Sequence, residues 1–370
     1  MRAANEIDFW RGLALVSIFI NHIPGFFFER LTHRNYGLSD SAELFVFLAG
    51  WSLRLLASGT SRSAGLLPLV LRLGARAVTL YAAQILITML AIAIIAGFAL
   101  WLDNPLLLEW HNAAAVFQEP VRTHLGLVLL THQLGYFDIL PLYVVLMAAG
   151  PLIAIVHRLA PAALLPLSLL LYGITLTFRL DLPTWPVDGI WFFNPLAWQL
   201  VFVLGFLLAR PDGLGAAARR HLPWLRPLAW GAVIVLLAVA IRGWEPDPTR
   251  VPEPKLFFIF DKTHLSPARL LHFLALVAAF AGSYRLIARF ASRPARFLAM
   301  LGRNSLNVFC VGSLLSLIGQ FLRVASAGSF WVDLCVLGMG VAVLGITAWL
   351  SELRDRVRVS ADRASAPSSA

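Results

Sequence analysis

Apolar residues in this chain fall in long runs rather than in strict alternation with polar ones. Ten stretches, approximately 9–28, 40–58, 77–102, 136–157, 160–178, 190–210, 227–242, 267–290, 305–325 and 329–352, are each mainly apolar. Most approach the ~20 residues that a helix needs to cross a bilayer. Hydrocarbon offers no partner for backbone N–H and C=O groups, and a helix satisfies its own. The pattern therefore predicts an all-α polytopic membrane protein with about ten transmembrane helices. No internal repeat is visible. One transmembrane domain is expected over 1–353, followed by an Ala- and Ser-rich cytoplasmic tail, 354–370, expected to be disordered.

Two connections stand out. The 103–135 region is longer than an ordinary loop, and Trp101, Trp110, Phe117 and the apolar run from Leu125 to Leu130 predict a segment that lies in the interface or dips inward. Between 243 and 266, Pro246, Pro248, Pro252 and Pro254 oppose helix and favour an extended rim or lid.

Composition reinforces the membrane reading. Of the 370 residues, 59% are hydrophobic and 14% charged, where a soluble domain carries about a quarter charged residues. The net charge of +10 raises the question of nucleic acid, but the placement of the charges answers it. With the N-terminus inside, 20 of the 30 Lys and Arg and only 6 of the 20 Asp and Glu fall on the inner side, which is then +14 against −4 outside. This is the bias of a membrane protein with both termini cytoplasmic. The loops 29–39, 103–135, 179–189 and 243–266 then face outward. No cleavable leader is expected, because the first segment carries Asp8 and Arg11 and lacks a small-residue cleavage site. Cys310 and Cys335 sit far apart in apolar segments and form no disulfide or metal pattern, and no metal is implied.

Candidate chemistry lies where ionisable residues interrupt the apolar runs. Arg11 and His22 are eleven positions apart, within roughly 20° on a helix, and Asp8 joins the same stripe. Such a face is costly in lipid and should meet protein or water, and a histidine on it can exchange a proton near neutral pH. Glu43 opens the second segment at its outer end, where an antiparallel neighbour would bring it close to His22; a structural polar contact between the two helices is the plain alternative. Asp138 opens the fourth segment, where a carboxylate also simply suits a helix N-terminus. A further outer cluster runs from Asp261, Lys262 and His264 to Arg269 and His272, with Ser266-Pro267 as a helix start. Arg269 either anchors the helix in the interface or binds a carboxylate bidentately. On the inner side Arg72, Arg76, Arg289, Arg293, Arg296 and Arg303 could hold a phosphorylated donor, although positive-inside bias alone accounts for them.

The residues Asp8-Phe9-Trp10-Arg11-Gly12-Leu13-Ala14-Leu15, Asn21-His22 and Ser39-Asp40-Ser41-Ala42-Glu43-Leu44-Phe45-Val46-Phe47-Leu48-Ala49-Gly50 resemble the OpgC family. So do Asp138-Ile139-Leu140-Pro141-Leu142-Tyr143, Phe193-Asn194-Pro195-Leu196-Ala197-Trp198-Gln199, Asp261-Lys262-Thr263 and Gly302-Arg303-Asn304-Ser305-Leu306. The motifs stand in family order over nearly all of residues 5–350, while Trp10 and Trp51 take the places of other aromatic residues. The resemblance implies a bacterial inner-membrane enzyme that places acyl groups, typically succinyl, on osmoregulated periplasmic glucans. The donor it implies is cytoplasmic acyl-CoA (succinyl-CoA or acetyl-CoA), with no bound cofactor.

His22 matches the catalytic first-helix histidine of the wider superfamily of membrane carbohydrate acyltransferases, and Asp8 and Arg11 match the cytoplasmic half of that signature. The expected roles follow. His22 deprotonates a sugar hydroxyl, which attacks the thioester directly or through an acyl-enzyme step, Glu43 orients His22, Arg269 holds a succinyl carboxylate, and Asp8 and Arg11 gate or line the route of the CoA arm. Asp138, Asp261, Lys262 and His272 complete the substrate site. The expected partners are the lipid bilayer, acyl-CoA and a periplasmic glycan, without nucleic acid. The alternative reading is a transporter or flippase for a glycan or lipid-linked substrate, without covalent chemistry.

Overall fold

A computed structural model describes residues 5–58 and 66–365. The described residues are helical and contain no strand beyond one isolated bridge between Pro183 and Ile190. They form two compact units, residues up to Arg30 with those from Ala281 onward, and residues Leu31–Phe280.

The first unit contains α1 (Glu6–Asn21), α12 (Tyr284–Phe290), α13 (Ser292–Arg303), α14 (Ser305–Ala325) and α15 (Phe330–Ser365). Helix α1 starts where the Asn5 side chain accepts a hydrogen bond from the Asp8 N–H at 2.9 Å. It ends earlier than its apolar run, which continues to residue 28. Pro24 cannot continue the helical ladder, and Gly25 adopts φ +69°, so the chain turns just after His22. Within the unit α1 is enclosed by α13, α14 and α15. The Ser316 hydroxyl of α14 donates to the Phe19 carbonyl at 2.9 Å, and Gly340 of α15 accommodates the Phe19 ring, which would lie 2.2 Å from an added Cβ. Near the far end of α14 and the start of α15, Arg323 pairs with the buried Asp333, whose Oδ2 also accepts the Phe27 N–H at 3.0 Å. The stretch 354–365, expected to be disordered, continues α15 as helix, and 366–370 lies outside the described residues, as do Arg2 and Arg62.

The second unit holds α2 (Ser41–Ser58), α3 (Leu67–Trp101), α4 (Ala114–Gln118), α5 (Pro120–Val128), α6 (Ile139–Ala148), α7 (Gly150–Leu159), α8 (Leu164–Phe178), α9 (Pro195–Leu208), α10 (Gly213–Ile241) and α11 (Pro267–Phe280). Helices α2 and α9 touch backbone to backbone. A Cβ on Gly50 would stand 1.8 Å from the Phe202 carbonyl oxygen, and one on Gly205 2.0 Å from that of Phe47, so only glycine permits this approach. Trp198, Phe202 and Phe206 of α9 are fully buried beside it. The 103–135 region folds as a 3-10 stretch, Pro105–Asn112, followed by the short helices α4 and α5. It buries His132, whose Nε2 lies 3.0 Å from the Asn112 carbonyl.

Among the described residues, five helices are long and apolar enough to cross a membrane: α2, α3, α10, α14 and α15. The number is seven if α6–α7, bent by 40°, and α11–α12 each count as one span. The ten segments read from the apolar runs differ from this count because α1, α8 and α9 contain 16, 15 and 14 residues. At ~1.5 Å per residue each is shorter than a ~30 Å hydrocarbon layer. Conversely, α10 is 29 residues long and carries Pro223 and Pro227 inside it, where only 227–242 was apolar enough to be read as a span.

Candidate active-site groups

In the first unit, Asp8, Arg11 and His22 all lie on or at the end of α1. Asp8 is fully buried, and Arg11 Nη1 stands 3.9 Å from its carboxylate and donates to the Gly302 carbonyl at 3.4 Å. This ties the start of α1 to the end of α13. His22 caps the other end of the helix. Its N–H donates to the Ile18 carbonyl at 3.0 Å, and its own carbonyl accepts the Gln320 amide of α14 at 2.5 Å. The backbone of His22 is therefore held on both sides. Asp8 and Arg11 sit together, whereas His22 is fourteen residues away, about 21 Å along the helix.

In the second unit, four charged residues converge at the start of α2. Asp40 and Glu43 form a reciprocal cap: Asp40 Oδ1 accepts the Ala42 N–H at 2.8 Å, and Glu43 Oε2 accepts the Asp40 N–H at 2.9 Å. Arg269 grips the other Glu43 oxygen through Nε at 3.0 Å and Nη2 at 2.6 Å, and its Nη2 lies 3.6 Å from Asp40 Oδ2. Lys262 closes the group with its ammonium 2.5 Å from Asp40 Oδ2. Two cations thus balance two carboxylates, the condition for keeping such charges away from water. The sequence reading places Glu43 beside His22; within the second unit the hydrogen-bond partners of its two oxygens are Arg269 and the Asp40 N–H.

The Lys262 loop is itself pinned. Trp198 Nε1 donates to the carbonyls of Lys262 and Thr263, each at 3.1 Å, and the Lys262 ammonium stands 5.4 Å from the Phe193 ring centre. Beside it His264 bridges two carboxylates, with Nδ1 2.9 Å from Asp261 and Nε2 2.7 Å from Asp181. Burial alone would lower the pKa of His264. Hydrogen bonds and charge from Asp261 and Asp181 outweigh it and hold the pKa above the ordinary histidine value. Asp261 is likewise desolvated, yet its bonds to His264 keep it below the usual carboxylate value.

His272, one turn beyond Arg269 on α11, meets Ser39. Its Nδ1 accepts the Ser39 N–H at 3.1 Å and lies 2.8 Å from the hydroxyl. A ring nitrogen that accepts a backbone N–H carries no proton, so the neutral ring keeps its proton on Nε2. The ring packs against Gly37, where an added Cβ would lie 2.2 Å from Cε1. Ser266 precedes α11 as expected, but its buried hydroxyl makes no hydrogen bond. Asp138 stands at the N-cap of α6, close enough to Lys262 to feel its charge.

The sequence reading brought forward Glu43, Asp138, Lys262, Arg269 and His272, and missed Asp40, Asp181 and Ser39 as partners. The i,i+3 spacings of Asp40 with Glu43 and of Asp261 with His264 were available signals. Nothing local pointed to Asp181, which meets His264 across 83 positions.

Neither a curated protein nor a solved structure matches this chain. A family model, described as OpgC protein, matches residues 3–356 and takes in every residue placed above. The chain belongs to the OpgC family.

Proposed function

We propose that this chain is a membrane O-acyltransferase that moves an acyl group, succinyl in the first instance, from cytoplasmic acyl-CoA to a hydroxyl of a periplasmic glucan. The observation that carries this reading is the family match over 3–356, which includes His22. Family membership supports acyl transfer to glucan in general terms; the donor, the acceptor and the base are our assignment. The ten apolar runs are then ten crossings of the inner membrane, with α1, α8 and α9 completed by the apolar residues that flank them and each bent pair taken as one, and both termini lie in the cytoplasm.

In this reading His22 takes the proton of the sugar hydroxyl as its oxygen attacks the thioester carbonyl. The carbon–sulfur bond then breaks, and the departing CoA thiolate takes the proton back from the imidazolium. The carbonyl of His22 is held by Gln320, which fixes where the residue stands. Arg269, oriented by Glu43, meets the succinyl carboxylate, while Asp138, Asp261, Lys262 and His272 line the acceptor side. Asp8 and Arg11 flank the path of the CoA arm.

The test is transfer of label from radioactive succinyl-CoA to glucan by membranes containing the protein, with His22→Ala as control. Label on the glucan that vanishes with His22→Ala supports the reading. A well-expressed chain that transfers none from either succinyl-CoA or acetyl-CoA returns it to the flippase class.

A further inference from the structure

The second unit contains a cleft of about 1030 Å³ between α2, the start of α3, α7, α8, α9 and the start of α10. It lies at the far end of α2 from the Asp40–Glu43 cluster: Arg54 on its wall is eleven residues beyond Glu43, about 16 Å along the helix. Its polar lining is Arg54, Ser58, His157, Arg158, Arg210 and Asp212, and its apolar lining includes Leu69, Ala154, Leu165 and Leu207. Ligand cavities typically occupy about 300–1,000 Å³, so a molecule of nucleotide or lipid-headgroup size fits.

On the charged side Arg54 is held in place, while Arg210 and Asp212 are exposed. Arg54 lies over the Phe206 ring at 5.1 Å and bonds Asp212 through Nη2 at 2.9 Å, while its buried Nε has no hydrogen-bond partner among the described residues. Arg219 fixes the adjoining turn by donating to the Arg210 carbonyl at 2.8 Å and the Leu208 carbonyl at 3.1 Å. Helix α10 starts on the rim, where the N-cap Asp212 gives its carboxylate to Arg54 rather than to the helix N-terminus. Three guanidinium groups outnumber the one carboxylate in this lining. Positive-inside bias explains arginines at a membrane face, but not their convergence on a cavity with an apolar wall.

We propose that this cleft binds the phosphate of an amphiphilic anion, with the apolar wall taking its less polar arm. Guanidinium forks match phosphate oxygens bidentately. Two sources carry that chemistry: the phosphates of a CoA thioester, which rests on the acyl-transfer reading, and the headgroup of an anionic phospholipid, which does not.

The experiment uses the purified full-length protein in neutral detergent and reads binding without glucan. The probes are coenzyme A, adenosine 3′,5′-bisphosphate and phosphatidylglycerol. The variants are Arg158→Gln with Arg210→Gln, and separately Ala217→Glu. Ala217 is an exposed position on the cleft lining, so its substitution adds a carboxylate without removing a packed side chain. Saturable coenzyme A binding, displaced by the bisphosphate and weakened at least tenfold in both variants, supports a nucleotide-donor site. Phosphatidylglycerol retained by the unmodified protein through delipidation and lost from both variants, without coenzyme A binding, supports a lipid-headgroup site. Binding by neither probe, or binding in monodisperse Ala217→Glu protein as tight as in the unmodified chain, overturns the proposal. Binding should survive His22→Ala, so a failure of transfer and a failure of this site are read separately.

Discussion

Gly12 and Gly302 let α1 and α13 meet backbone against backbone. A Cβ on Gly302 would stand 1.8 Å from the Asp8 carbonyl oxygen, and one on Gly12 1.9 Å from that of Leu298. No side chain can yield there, because the obstructing atoms are main chain. Gly302→Ala should therefore cost at least the ~1–3 kcal/mol of an overpacked core and lower the unfolding temperature in detergent. Gly97→Ala, in α3 with nothing within 4 Å, should leave that temperature unchanged or raise it. Equal effects would mean that α1 and α13 do not meet in this way.

His22→Ala should reduce acyl transfer by about 10²–10⁴-fold, the usual range for losing a general base, with insertion and yield retained. Glu43→Gln should impair transfer less, because it weakens the hold on Arg269 without removing the base. Initial rates from membranes matched for protein content decide this, and near-normal transfer by His22→Ala would eliminate the mechanism.

Arg269→Leu leaves Glu43, fully buried, without its main partner. Breaking a buried pair from one side costs about 3–5 kcal/mol, so this variant should accumulate poorly. Arg269→Leu with Glu43→Leu removes both charges and should recover much of the loss. In that double variant succinyl transfer should fall more than acetyl transfer when the two donors are compared. An equal fall would assign Arg269 to structure.

The His264 bridge predicts a pH dependence whose sign is fixed. Because the pKa of His264 is raised by Asp261 and Asp181, its stabilisation is complete below the ordinary histidine pKa, about 6.5, and is lost as pH rises through the higher folded value. Asp261 is lowered, so its contribution is present above the ordinary carboxylate pKa and is lost as pH falls through the lower folded value. Thermal stability should decline as pH rises above the ordinary histidine pKa of about 6.5, and His264→Gln should flatten that decline. A variant with the same slope as the parent would remove His264 as its source.

Orientation is tested by labelling. A cysteine at Asp247, in the proline-rich 243–266 loop, should react with an impermeant maleimide in intact cells, and one at Ala216, an exposed position in α10, should not. The reverse pattern would place His22 on the wrong face for a periplasmic acceptor.

What could be read in advance was local. Helix α14 spans Ser305–Ala325, the limits drawn from its apolar run, because polar residues flank it on both sides. Helix α1 was drawn too long because Ile23-Pro24-Gly25-Phe26 looks apolar in sum while Pro24 and Gly25 end the helix. The α6–α7 break is hidden similarly, with Gly150-Pro151 inside one apolar stretch. At the site, ionisable residues in or just before apolar runs drew attention to Glu43, Lys262 and Arg269, but not to who pairs with whom. Glu43 and Arg269 are 226 positions apart, and no pattern in one segment encodes a partner in another.

The make-up of the first unit has a consequence for biogenesis. Helix α1 is synthesised first, yet the helices that enclose it begin only after Ala281. At roughly 5–20 residues per second, the intervening 250 or so residues take about 12–50 s to emerge. Throughout that interval Gly12, Asp8 and Arg11 lack α13, and the His22 carbonyl lacks Gln320. Until residues beyond 281 are made, the packing that encloses α1 inside its own unit cannot form. A ribosome stalled before residue 281 would leave a chain that has made the second unit and still cannot close the first.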